Sequence, residues 1–184
     1  MIYPVKSPFE LLAEYERRSL AHADAGASAA SAAVAASLWR GVGFRVGGRN
    51  LVSSLTEVSE ILSFPDFTRV PGAKEWLLGV ASVRGNLIPL VDLNGFISGE
   101  ATHLSDASRV LLVRQSGGSV GLLVDEVVGQ RNFSAEQRAA APAGEAQDGF
   151  ARYVVERYAL GEAKWEQFSM AALVRAGEFS QAAA

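Results

Sequence analysis

Short apolar runs, each ended within a few residues by a glycine- or proline-centred turn, constrain this chain more than any other feature. Val42, Phe44 and Val46 alternate with Gly43 and Arg45, and Gly47-Gly48 can then reverse the chain into Asn50–Ser54, a hairpin signature. Val58, Ile61 and Leu62 continue the apolar set, and Pro65 and Pro71-Gly72 bound a loop. Ala73 to Leu78 can form one helical turn before Gly79, and the strand-like segment Ala81–Leu93, ASVRGNLIPLVDL, follows. A long loop is expected from Asn94 to Ser108. Arg109–Arg114, the turn Gln115–Ser119 and the run Val120–Val128 read as a second hairpin. Ser134–Gln137 forms a short helical patch, and Tyr153–Leu160 and Lys164–Phe168 are two more strands around Gly161-Glu162-Ala163. Ser169 can cap a last short helix with Met170, Leu173 and Val174 facing inward and Gly177 as its stop. Runs this short and turns this frequent favour mainly β barrels over a parallel α/β sheet.

Two further features concern organisation. Ser7-Pro8-Phe9-Glu10 is a helix-start signal for a helix from Pro8 to Leu20, and ten of the sixteen residues from Ala21 to Ala36 are alanine, as in a linker or loosely helical tail. Gly85–Asp92 also echoes Gly118–Asp125 at an offset of 33 residues, which a duplicated barrel unit or chance would produce.

Composition mostly excludes. With 17 basic and 20 acidic residues the net charge of -3 gives no basis for nucleic-acid binding. No cysteine is present, so disulfides and thiolate metal sites are out. The N-terminus lacks the features of a secretory signal and no apolar run is long enough to span a bilayer, so the expectation is a soluble, cytoplasmic protein without direct membrane insertion. His22 and His103 lack metal-ligand spacing, and no metal or cofactor is expected. Gly41-Val42-Gly43 lacks the remainder of a dinucleotide fingerprint, and no G-x-S-x-G elbow activates a serine. Catalysis is therefore not expected. The rival reading is a small β-barrel hydrolase using Ser82 and His103, and a third is an SH3-type peptide-binding module.

The two charges of ASVRGNLIPLVDL differ in kind. Asp92, at a strand exit, is expected to accept backbone or turn hydrogen bonds, with Asp125 in the matching place. Arg84 beside Gly85 can present a rigid fork to a carboxylate on this chain or on another, and spacing alone leaves both open. Tyr158 and Trp165 are expected in the core rather than at an interface.

GVASVRGNLIPLVDL resembles the signature of the CheW-like family, the coupling proteins of bacterial chemotaxis, with Ser82-Val83 where that signature has Asn-Leu. Val58-Ser59-Glu60-Ile61, Thr68–Pro71, Val120–Val127 and Phe133–Gln137 are similar to further family segments, so that the resemblance runs from about Gly41 to Val174. Ser7–Leu12 and Trp39–Phe44 resemble the version that serves type IV pilus (twitching) systems. The resemblance implies two small SH3-like five-stranded β-barrel lobes packed side by side, with short helices near the termini. It divides the chain into an N-terminal helix plus linker at 1–38, the CheW-like domain at 39–177 and a tail at 178–184. It further implies a non-enzymatic adaptor that couples a methyl-accepting chemoreceptor, through its cytoplasmic hairpin tip, to the regulatory domain of a CheA-like histidine kinase at membrane-bound receptor arrays. Flagellar chemotaxis is the alternative to pilus control. By the same resemblance Val58, Glu60, Val83 and Arg84 bind the receptor in a groove between the barrels.

Overall fold

A computed structural model describes residues 38–115, 117–139 and 148–181. The expected helix from Pro8 to Leu20 and the alanine-rich stretch lie outside them. The strands are β1 (Trp39–Val46), β2 (Arg49–Ser54), β3 (Val58–Ser63), β4 (Leu77–Val83), β5 (Asn86–Asp92), β6 (Arg109–Gln115), β7 (Gly118–Val124), β8 (Glu126–Phe133), β9 (Arg138–Ala139), β10 (Val154–Leu160) and β11 (Ala163–Phe168). The helices are α1 (Leu93–Ser98), α2 (Met170–Arg175) and α3 (Gly177–Ser180). They build a mainly β fold of two SH3-like lobes. One is a five-stranded sheet in the order β3-β6-β7-β5-β4, the other a six-stranded sheet in the order β8-β1-β2-β11-β10-β9. The sixth strand, beyond the five expected, is the two-residue β9, which pairs only with Arg157 and Tyr158.

The first hairpin forms as its sequence demands. Gly47 and Gly48 sit at φ 55° and 77°, the left-handed pair of a tight two-residue turn between Val46 and Arg49. In the second hairpin β6 pairs with β7 down to Gln115 opposite Gly118, but the run Val120–Val128 is not one strand. It divides at Asp125, and β8 leaves for the other sheet to lie beside β1. Contacts from far along the chain make the switch: the Asp125 N–H donates to the Arg45 carbonyl at 3.0 Å, and the backbone N–H groups of Gly47 and Gly48 hydrogen-bond its carboxylate. The echo of Gly85–Asp92 in Gly118–Asp125 does not relate the lobes either. β5 and β7 are parallel neighbours in one sheet, with Val91 opposite Leu122.

Three helical expectations are corrected. Leu93–Ser98 is a helix where a loop was expected, since the Asp92 carboxylate caps it by accepting from the Gly95 N–H at 3.1 Å. The residues before Gly79 make only a hydrogen-bonded turn, from the Leu77 N–H to the Lys74 carbonyl at 2.9 Å, and β4 begins at Leu77 itself. Ser169 caps α2 as expected and that helix ends at Arg175, close to the expected stop, but it is not the last one, since Gly177 opens α3. Phe179 is buried, with its ring centroid 6.2 Å from that of Trp76 and 5.2 Å from that of Phe96, so the expected tail from residue 178 begins only after this aromatic contact. The short helices are accordingly not confined to the termini.

Three apolar clusters hold these elements, because most strands bury both faces. In β6, Val110 packs inside the five-stranded lobe with Ala81, Ile88 and Leu90, while Leu111 and Val113 face the other way. Val52, Phe133, Tyr158 and Trp165 fill the six-stranded lobe, so Tyr158 and Trp165 are core residues as expected. Burial and a hydrogen bond to Glu156 push the Tyr158 phenol up to about 12. The largest cluster lies between the lobes, where Phe44, Leu51, Phe150 and Phe168 of one meet Val91, Leu111, Val113 and Leu122 of the other, closed by Met170, Leu173 and Phe179.

Candidate functional site

The β4–β5 hairpin pairs Val83 with Asn86, leaving Arg84 and Gly85 as a two-residue turn at φ 50° and 83°. Such a turn needs left-handed backbone at both central positions and suits Asn-Gly or Gly-Gly. An arginine there costs about 1–2 kcal/mol, because its Cβ crowds the following carbonyl. Arg84 is the one non-glycine residue with positive φ among the described residues. That cost is not balanced by burial, since the Arg84 side chain is 77% exposed.

The guanidinium reaches across the lobe. Its Nη2 lies 2.6 Å from Oε1 of Glu60 on β3, at the opposite edge of the five-stranded sheet. The two edge strands can meet only if the sheet curls, and Leu62 of β3 and Leu78 and Val83 of β4 indeed pack on the same interior cluster. With Arg84 so exposed, the ion pair contributes at most about 1 kcal/mol. It therefore does little to hold the lobe together, and its main effect is to fix the position of two charges at the surface.

A bulge aims Glu60. β3 pairs Val58 with Val113 and Glu60 with Leu112, so Ser59 is the extra residue and the strand turns over at that point. Leu112 and Val113 point to opposite faces, and their partners do likewise. Glu60 thus joins Val83, Arg84, Asn86, Leu87, Ile88 and Leu112 around a hollow of about 500 Å3. Val58 does not: it packs against the cluster between the lobes. Of the four residues singled out in the sequence, three are brought together and the fourth lies on the other face of β3. The hollow is built by the five-stranded lobe alone, whereas the resemblance implies a groove between lobes.

Leu87 is the residue that sequence reasoning missed. It is 77% exposed, the most exposed large apolar side chain described, and stands beside Arg84 at the hairpin tip. The signal was present in Leu87-Ile88: consecutive strand residues face opposite sides, and only Ile88 has a core to enter.

The aspartates of the two echoed segments are bonded within the chain, Asp92 buried and Asp125 half-buried. Asp92, only 3% exposed, accepts from the Gly95 N–H and, at 2.7 Å each, from the N–H and hydroxyl of Thr102, as its place at a strand exit implied. Burial pushes the Asp125 carboxyl up from its ordinary value, against the Gly47 and Gly48 N–H groups that favour the charged form. Ser82 and His103 form no catalytic constellation. Ser82 pairs with Leu87 near the hairpin tip, and His103 adjoins Thr102, which is bonded to Asp92 about 16 Å further along β5. Among the described residues no group of three or more His, Asp or Glu side chains could hold a metal ion, and no helix is long and apolar enough to cross a membrane.

Comparison with known proteins agrees with this architecture. The family model described as the CheW-like domain matches residues 40–162. The chain is 44% identical to Protein PilI of Pseudomonas aeruginosa over 129 residues, which cover 70% of this chain and 71% of that protein. It is 31% identical to the chemotaxis protein CheW of Bacillus subtilis over 83 residues, covering 45% of this chain and 53% of that one. The crystal structure of the scaffolding protein TtCheW from Thermoanaerobacter tengcongensis shares the fold, with a TM-score of 0.61 at 21% identity over 71% of this chain and 84% of the other. Two lobes of this kind, a signature hairpin that carries Arg84 at its tip and a family match over most of the chain have one common explanation: the chain belongs to the CheW-like domain family.

Proposed function

We propose that this protein is a non-catalytic adaptor that couples a methyl-accepting chemoreceptor to a CheA-like histidine kinase, in a chemotaxis-like system controlling type IV pili. The observation that carries the reading is Arg84, held in left-handed backbone at a hairpin tip and paired with Glu60 while largely exposed. A residue kept in an unfavourable conformation without gaining burial points to a role outside the fold. Leu87 and Val83 supply apolar contact for the hairpin tip of a receptor, and Arg84 and Glu60 set register and reject wrong partners. Val58, on the other face of β3, acts on this surface by seating the strand against the inter-lobe core. The kinase regulatory domain is the second partner, and the protein works in the cytoplasm, recruited to membrane-bound receptor arrays.

The likeness to PilI supports the pilus system, and the likeness to CheW proteins keeps flagellar chemotaxis as the second reading. Arg84→Glu places two carboxylates together and should weaken capture of a receptor cytoplasmic fragment by about tenfold or more, with the fold intact. Undiminished capture would remove the proposed role of Arg84. In cells, a deletion strain that loses twitching and keeps swimming supports the pilus assignment; the reverse outcome supports the flagellar one.

A further inference from the structure

The two C-terminal helices are held in unequal ways. α2 is fastened at its start and along its length: Ser169 caps it, the Glu57 carboxylate accepts from the Ala171 N–H at 3.0 Å, and Met170 and Leu173 are fully buried. In α3 only Phe179 is buried, while Gly177, Glu178 and Ser180 are exposed. Ala176 stands between the helices in extended backbone, at φ -64° and ψ 128°. The two side chains that fasten α3 are neighbours in sequence and grip different lobes. Phe179 packs on Trp76 and Phe96 of the five-stranded lobe, where Phe96 belongs to α1 and the Trp76 carbonyl accepts from the Asp92 N–H at the end of β5. Glu178 pairs at 3.2 Å with Arg152, in the short helical turn Gly149–Arg152 that leads into β10 of the six-stranded lobe. Both partners of that ion pair are largely exposed, so it holds weakly. Tyr153, beside Arg152, shares the apolar cluster with Phe179 and keeps a buried hydroxyl without a hydrogen-bond partner among the described residues, which narrows the gap between a closed and an open α3.

We propose that α3 is a strap across the seam between the lobes, which swings about Ala176 in the folded protein independently of α2 and, when closed, restrains the movement of one lobe against the other. One buried ring and one exposed ion pair make a fastening weaker than the core it crosses, so the strap opens at a lower free energy than either lobe. Opening leaves both sheets and α2 in place. The seam therefore yields before either lobe unfolds. In an adaptor, which holds two partners at once, that give lets contacts on different lobes form without strain; this consequence rests on the adaptor reading, while the strap itself works in the free protein.

The test is native-state amide hydrogen exchange of the full-length protein, read residue by residue by NMR in rising, sub-denaturing urea. The Phe179 and Gln181 N–H groups, which donate to the Ala176 and Glu178 carbonyls, should be protected at least about tenfold over an unstructured chain and exchange at a rate that urea hardly changes. The Leu173 N–H of α2, which donates to the Ser169 carbonyl, should exchange only as the whole protein unfolds. Phe179→Ala should raise exchange at Gln181 by about tenfold or more. It should also speed the Asp125 N–H, whose bond to the Arg45 carbonyl joins the lobes, more than the amides of β6, which is paired on both sides within one lobe. A general loss of stability would speed both alike. Glu178→Gln, which loses only the ion pair, should act in the same direction more weakly, with a difference from the parent that shrinks as salt rises. Exchange of α3 in step with Leu173, no protection of α3 at all, or an Asp125 N–H that gains no more than β6 in Phe179→Ala would overturn the proposal.

Discussion

Replacing Arg84 by asparagine separates what the hairpin tip does for the fold from what it does for a partner. Asn-Gly is the preferred pair for a two-residue turn with both φ positive, so Arg84→Asn keeps the backbone at φ 50° and 83° and relieves up to about 1 kcal/mol of crowding. The substitution also removes the 2.6 Å ion pair to Glu60, which at 77% exposure of the arginine is worth about 0.2–1 kcal/mol. The two changes oppose one another, and the variant should lie within about 1 kcal/mol of the parent. Equilibrium urea denaturation of the full chain, followed by tryptophan fluorescence, measures this, while a pull-down with a receptor cytoplasmic fragment measures the other half. The expected result is near-parental stability with reduced capture. A loss above about 2 kcal/mol would show that Arg84 is a structural residue, and full capture would show that the guanidinium is not what the receptor contacts.

Two other perturbations read internal contacts. Asp92→Asn puts an amide N–H where a carboxylate oxygen accepts from the Thr102 N–H at 2.7 Å, and leaving that buried donor unmatched should cost about 1–3 kcal/mol in urea denaturation; parental stability would mean that the fold does not depend on the bond between Asp92 and Thr102. For Asp125 the sign follows from its raised folded value: the folded state holds the proton more tightly, so this group lowers stability as pH rises from the ordinary 3.8 through the raised value and regains it on acidification. Asp125→Asn removes that dependence, so the variant should gain on the parent at neutral pH and lose the advantage in acid. A stability difference that does not change with pH would refute this.

What was legible in the sequence and what was not divide along a physical line. Gly47-Gly48 announced a hairpin because the turn's backbone requirement is carried by the turn residues themselves. Asp92 was recognised as a hydrogen-bond acceptor from its position, yet the helix it caps was not, since six residues, Leu93 to Ser98, are too few to display a helical period. The break at Asp125 was marked by the aspartate itself, in the place that matches the strand exit at Asp92, but the departure of β8 to the other sheet was not legible, because its cause is the turn near Gly47, distant in sequence. The same holds for the bulge at Ser59. Val58 and Glu60 have the spacing of residues on one strand face, and only the pairing with β6 shows that they face opposite ways. Arg84 was legible through its motif, whereas Leu87 was hidden among other leucines and became visible only by its exposure.

The order of strands has a consequence for how the chain reaches its final form. Strands β3 to β7 are consecutive and make one whole sheet, while the other sheet joins β1 and β2 to β8–β11, with β11 laid parallel against β2 at Leu51 and Val52. The inner lobe is in effect an insert within the outer one. On a growing polypeptide it can close as soon as Val124 has emerged, whereas the outer lobe must wait for Phe168. Closure of the insert draws its two ends together and shortens the loop that β1 and β8 must span to pair, so the early module acts as a clasp for the late one.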